Sequence, residues 1–323
     1  MQMNSKRVNL NFEGIEAIGK DCIIHYPWDN NNDLDNSKPI SDYVVSDLKM
    51  TFDKVMNKSG NRAMIFEGVP GTGKTTLALS LIKDYLANAE DINERIITIQ
   101  FTETTDYVDF IGGVTMGDTD WEYRDGILIN ACIKAYEFGN DKPVFLFIDE
   151  ISRGKADSIF GEALSLMTRR GSIMLLRNGR KLLIPQNLII VGTMNSYDKG
   201  VGTFSEAFRE RFEIIPVEPQ WNDEYINKFV NKRTDYIENL RKLFKVIDRF
   251  NCIARESNKP SLMIGTRIFN KALDKNQGNI DERFILELRD EACKTIERRM
   301  PRESYEAIKD ALRDIRSFQV SRY

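Results

Sequence analysis

Residues 68–75 read Gly-Val-Pro-Gly-Thr-Gly-Lys-Thr, a phosphate-binding loop with its glycines, lysine and threonine at the spacing the chemistry needs. The glycines let backbone N–H groups curl around a polyphosphate, which then sits on a helix N-terminus. Lys74 would reach the β- and γ-phosphates, and the Thr75 hydroxyl would hold Mg²⁺. The candidate nucleotide contacts are therefore Gly68, Val69, Pro70, Gly71, Thr72, Gly73, Lys74, Thr75 and Thr76. Further along, the apolar run Val144-Phe145-Leu146-Phe147-Ile148 ends in Asp149-Glu150. Asp149 would contact the Mg²⁺, directly or through a water, and Glu150 would polarise the attacking water. Ile189 to Met194 leads in the same way to Asn195, whose amide can hold that water against the γ-phosphate.

Three arginines complete the set. Arg209 and Arg211 lie where a helix ends and a strand begins, with Glu210 the nearby acid. Either could serve a neighbouring subunit as an arginine finger, stabilising charge on the transferring phosphoryl group. Arg267 opens a helix after Ile264-Gly265-Thr266 and could touch the γ-phosphate, coupling hydrolysis to motion of that helix. Each position also has a plainer reading when taken alone. The acid pair could cap a helix, Asn195 could end a strand in a turn, and the arginines could sit at solvated helix ends. The phosphate loop upstream favours the chemical reading of the acid pair.

The elements that must carry these residues follow from pattern. Ala63 to Phe66 leads into the loop as a strand, and Thr76 to Leu86 leads out as a helix. Four more short, β-branched, continuously apolar runs follow: Arg95 to Phe101, Val144 to Ile148, Leu188 to Val191 and Phe212 to Val217. Such runs suit a buried parallel sheet. Helical patterns separate them, so the βα order gives an α/β fold with a doubly wound, parallel, five-stranded sheet. Tyr43 to Met56 is a helix by its apolar spacing. Ser172 to Ile184 holds two apolar–basic runs around Asn178-Gly179, a hairpin signal. It is either a plain structural hairpin or a mobile element facing a central pore. Five cations surround it, Arg169, Arg170, Arg177, Arg180 and Lys181, so nucleic acid in such a pore is an open reading. Past Asn222 the pattern turns wholly helical, over 224–234, 237–256, 267–275, 281–298 and 302–318. The expected division is an N-terminal extension with a polar loop over 1–40, an α/β nucleotide-binding domain over 41–219, and an all-α lid over 220–323.

Bulk properties exclude other classes. The chain has 323 residues, 41% hydrophobic and 29% charged, with net charge −3, so no global basic field draws it to nucleic acid or membrane. Cys22, Cys132, Cys252 and Cys293 match no metal spacing and suit free thiols in a reducing, cytoplasmic setting. A single histidine, His25, leaves no basis for histidine-based hydrolysis or a zinc site. No apolar run is long enough for a membrane span, and the polar N-terminus does not read as a signal peptide.

The order of motifs resembles the AAA+ superfamily, and finer details resemble its McrB branch, which neighbours the dynein-related and MoxR groups. These are Tyr107-Val108-Asp109-Phe110-Ile111-Gly112-Gly113, Asp125-Gly126-Ile127-Leu128 with Asn130 and Cys132, Ile148-Asp149-Glu150-Ile151-Ser152-Arg153, and Phe160-Gly161-Glu162-Ala163. Met194-Asn195-Ser196-Tyr197-Asp198-Lys199 resembles that branch's MNTxxD signature, with Ser for Thr, and marks Asp198 as a further nucleotide contact. The resemblance covers Met64 to Pro219 and implies a ring-forming, hexameric nucleoside triphosphatase using Mg²⁺ with ATP or GTP. It implies a motor that powers a protein partner, such as a McrC-like nuclease in restriction or defence. The alternative is a MoxR-like chaperone remodelling protein clients. Three departures stand out. The residues before the loop are few for the DNA-recognition domain of restriction members, Glu210 interrupts the family's arginine triplet, and the lid around Arg267 diverges most. The base is not readable: Asn270-Lys271 precedes Asp274 by one residue too many for the guanine motif of small GTPases. Superfamily frequency favours ATP.

Overall fold

The computed structural model describes residues 44–58, 62–87, 89–117, 120–168, 173–176, 179, 181–195, 204–223, 225–226, 236–300 and 306–320. The N-terminal extension over 1–40 with its polar loop, Cys22 and His25, together with Asp198, four of the hairpin cations and most of the expected helix 224–234, lie outside these residues.

The strands are β1 (Ala63–Gly68), β2 (Ile96–Gln100), β3 (Gly112–Met116), β4 (Trp121–Asp125), β5 (Val144–Asp149), β6 (Ile173–Leu175), β7 (Lys181–Leu183), β8 (Leu188–Asn195) and β9 (Glu213–Pro216). The five runs expected from sequence form one parallel sheet, ordered β2-β5-β8-β1-β9. Its centre is apolar on both faces: every residue of β5 is buried, as are the first seven of β8. That follows when helices cover a parallel sheet on both sides.

The helices are α1 (Val44–Met56), α2 (Lys74–Tyr85), α3 (Tyr107–Phe110), α4 (Ile127–Phe138), α5 (Ala156–Phe160), α6 (Ala163–Thr168), α7 (Glu206–Arg209), α8 (Ile237–Glu256), α9 (Arg267–Lys275), α10 (Glu282–Arg299) and α11 (Glu306–Arg316). The helix after the phosphate loop starts at Lys74, two residues earlier than its apolar pattern suggests, because Gly73 caps it with φ 83°.

The described residues form two apolar cores. One lies under the sheet around Ile65, Leu146, Phe160 and Phe208. The other fills the helical C-terminal region around Leu243, Phe244, Phe269 and Phe284. Val69 of the phosphate loop belongs to the second core, together with Trp221. No strand occurs among the described residues beyond Pro216. The AAA+ P-loop fold expected from the motifs, a five-stranded parallel sheet followed by an all-α region, is thus the observed one.

Among the described residues, two antiparallel ribbons stand apart from the sheet. The expected hairpin is β6–β7, with Ile173 paired to Leu183 and Gly179 at φ 80° in its turn. The β3–β4 hairpin is an addition. Its Val114, Met116 and Trp121 point outward, 61%, 66% and 68% exposed, so no buried apolar run marks it in sequence. Among the described residues no helix is long and apolar enough to cross a membrane. Cys132 and Cys293 are buried thiols and Cys252 an exposed one.

Candidate nucleotide site

Parallel register brings the chemistry to one edge of the sheet. Gly68 at the end of β1 is level with Asn195 at the end of β8, and Ile148 of β5 is level with Gly192 of β8. Asp149 and Glu150 therefore emerge beside Thr193, within reach of the loop that leaves β1. Ligands of open parallel sheets bind outside the strands' carboxyl ends, and the candidate residues collect there.

The loop keeps its curl through Gly71 at φ 86° and Gly73 at φ 83°, conformations that cost other residues dearly. Lys74 is buried. Its Nζ donates to the Gly68 carbonyl at 3.0 Å, the Val69 carbonyl at 2.9 Å and Asn195 Oδ1 at 2.7 Å. Three neutral oxygens thus take up the ammonium's three N–H donors at the loop's mouth, and a phosphate oxygen, as a charged acceptor, would displace one of them. Thr75 Oγ1 donates to Asp149 Oδ1 at 2.9 Å. One hydroxyl and one carboxylate side by side suit Mg²⁺, which keeps waters and phosphate oxygens in its shell and needs no all-protein cage. Among the described residues there is no cluster of three or more His, Cys, Asp or Glu side chains placed to hold a metal ion.

Glu150 has φ 52°, a left-handed conformation that is strained for a residue with a side chain. Its N–H donates to Thr193 Oγ1 at 3.0 Å, and its carboxylate pairs with Arg153 Nε. The Thr193 hydroxyl in turn donates to Asp149 Oδ1, and the Thr193 carbonyl accepts from Ile151 N at 2.9 Å. A single buried threonine therefore ties down three consecutive residues of the acidic turn. Sequence reading passed over Thr193; its signal was an isolated hydroxyl in the otherwise apolar run before Asn195.

The arginines separate by environment. Arg209 is exposed on α7, whose start is fixed by the Ser205 hydroxyl accepting from Phe208 N at 3.1 Å and by Phe208 stacking on Phe212. Arg211 is half-buried and turned inward. Its Nε donates to the Leu164 carbonyl at 3.2 Å, and its Nη1 donates to the Ala207 carbonyl. Arg267 is exposed at the first turn of α9, and its backbone N–H donates to the Gly71 carbonyl at 2.9 Å. Loop, acid turn and Asn195 are thus brought together, Arg267 stands beside the loop, and Arg209 faces outward.

The family model of the AAA domain, dynein-related subfamily, matches residues 63–212. This segment is an AAA domain of that subfamily. Curated relatives agree. Over 213 residues the chain is 31% identical to the type IV methyl-directed restriction enzyme EcoKMcrB subunit of Escherichia coli K12, covering 62% of this chain and 44% of that protein. Over 118 residues it is 33% identical to the type II restriction enzyme BsuMI component YdiS of Bacillus subtilis, covering 31% of this chain and 34% of the relative. Midasin of Giardia intestinalis is 26% identical over 166 residues, 51% of this chain but 3% of that protein. The chain therefore spans less than half the length of each. The AAA segment holds the loop, the acid pair, Asn195 and both inter-strand arginines, whereas Arg267 lies beyond it.

Proposed function

We propose that this chain hydrolyses ATP or GTP with Mg²⁺ and works as a ring-forming motor subunit that powers a protein effector. The carrying observation is that the adjacent residues Lys74 and Thr75 donate to Asn195 and to Asp149 respectively, with Glu150 next in chain to Asp149. In this reading Lys74 and the loop amides of 68–76 bind the polyphosphate. Thr75 and Asp149 hold the Mg²⁺, which neutralises charge on the phosphates. Glu150 polarises the attacking water once its carboxylate leaves Arg153, and Asn195 orients that water. Arg267 reports nucleotide to the lid, and Arg209 or Arg211 completes the site of a neighbouring copy. Residues 41–219 serve as the nucleotide domain and 220–323 as the lid.

Two relatives are by name a subunit and a component of restriction enzymes, which supports a nuclease as the effector. The apolar outer face of β3–β4 supports contact with another protein, since exposed apolar patches commonly mark such surfaces. The test is turnover of ATP and of GTP by the purified chain, with particle mass measured with and without nucleotide. Turnover that needs Mg²⁺, rises with protein concentration and vanishes in Glu150→Gln is expected. Concentration-independent turnover by a monomer would refute the ring.

A further inference from the structure

Residues 263–266 run into α9 pressed against the phosphate loop. The Arg267 N–H donates to the Gly71 carbonyl at 2.9 Å, and the Thr266 hydroxyl reaches the same oxygen at 3.4 Å. A Cβ on Gly265 would stand 2.5 Å from the Pro70 oxygen, 2.7 Å from Gly71 C and 2.8 Å from the Gly71 oxygen. All three are backbone atoms, so no rotamer change relieves the overlap. A Cβ on Gly71 would likewise come 2.9 Å from Arg267 Cβ. Gly265 is not among the glycines with positive φ. Its lack of a side chain is therefore demanded by the loop it touches and not by its own backbone conformation.

The segment is itself clamped from the helical side. Buried Asn251 on α8 holds Ile264 twice: its Oδ1 accepts the Ile264 N–H at 2.7 Å, and its Nδ2 donates to the Ile264 carbonyl at 3.1 Å. Trp221 Nε1 donates to that same carbonyl at 2.7 Å, and Arg299 donates to the Met263 carbonyl at 3.1 Å. Val69 of the loop packs in the core these residues share. The strap is thus fixed to the lid by side chains and to the loop by close backbone packing at Gly265 and by the Thr266 hydroxyl.

We infer that Gly265 is a positioning residue for nucleotide binding: the strap 263–266, set by Asn251, holds the Pro70–Gly71 backbone in the shape that turns the loop amides inward. This rests on the proposed nucleotide site and adds a route between lid and phosphates that does not use the Arg267 guanidinium. Coupling of this kind is reciprocal, so a filled loop also holds the strap.

The test uses the full chain, with Gly265→Ala and Asn251→Asp; the latter keeps the acceptor for Ile264 N–H and loses the donor. Amide hydrogen exchange over 68–74 is measured without nucleotide, and the Kd for Mg²⁺ with fluorescent ATP and GTP analogues is measured in parallel. Faster exchange of the loop amides is expected in both variants, with the α8 and α10 amides unchanged. A Kd raised about tenfold or more is expected for Gly265→Ala, equivalent to about 1.4 kcal/mol of lost binding. Loop exchange and Kd in Gly265→Ala that match wild type would overturn the inference. So would exchange that rises equally across α8 and α10, because that is plain lid destabilisation. If the wild-type chain binds neither analogue while Gly265→Ala still loosens the loop, the nucleotide reading fails and the strap stands.

Discussion

The Thr193 hydroxyl donates to Asp149 and accepts the Glu150 N–H, so in the proposed mechanism it would aim the carboxylate that holds Mg²⁺ and fix the strained turn that presents Glu150. Removing it leaves a buried N–H without its acceptor and a buried carboxylate short of one donor, each costly in an apolar strand. Thr193→Val, nearly isosteric, should lower kcat about 10–100-fold, the usual effect of losing a residue that orients a metal ligand. Nucleotide KM should change little, because Lys74 and the loop amides stay in place. Thr193→Ser keeps the hydroxyl and should restore turnover. Steady-state kinetics across a Mg²⁺ titration checks this; wild-type kcat in Thr193→Val would remove Thr193 from the mechanism.

At the scale of elements, α9 and α10 are locked by one buried carboxylate. Glu291 on α10, its side chain 4% exposed, accepts from Lys271 at 2.6 Å and from Lys275 at 2.8 Å, while Lys275 also pairs with Glu287. Burial alone would raise the Glu291 pKa, but the two lysines outweigh it and hold the pKa down to about 2. A carboxyl with a depressed folded pKa stabilises the fold fully above its unfolded value, here 4.5, and loses that contribution as pH falls toward about 2. Glu291→Gln should therefore cost about 1.5–3 kcal/mol at neutral pH, the range for hydrogen bonds to a charged group. It should also flatten the fall in stability between pH 4.5 and 2, a window set by the shift above. Urea melts across that range would show it, and an unchanged acid profile would contradict it.

These helices were plainly legible: 237–256 and 267–275 match their apolar spacing end to end, because each buries one stripe in the second core. The central strands were legible for the same reason, being buried on both faces. The β3–β4 ribbon was not, since its apolar residues face solvent and periodicity reports burial. Of the site, the motif residues could be read from spacing. Thr193 needed the register of β5 on β8, and Gly265 needed a contact between segments far apart in sequence.

At the scale of the whole molecule, the proposed ring requires an arginine from a neighbouring copy, and Arg209 and Arg211 differ in how freely each could leave its own chain. Arg211 already donates to two carbonyls of its own chain, so releasing it would cost those bonds. Arg209 is exposed on a short helix pinned by Ser205 and Phe208, ready to reach outward without rearrangement. Arg209→Ala should therefore bind nucleotide normally yet lose about 10³–10⁵ in turnover, as arginine fingers do. Arg211→Ala should chiefly lower the melting temperature. Complementation then decides whether the finger acts between copies. Glu150→Gln lacks its own water-polarising group but carries an intact finger, and Arg209→Ala has the reverse defect. Mixed before ring assembly, the two should regain turnover, because each Arg209→Ala site next to a Glu150→Gln copy is complete. If the mixture stays as inactive as its components while light scattering shows co-assembly, Arg209 does not act across the seam.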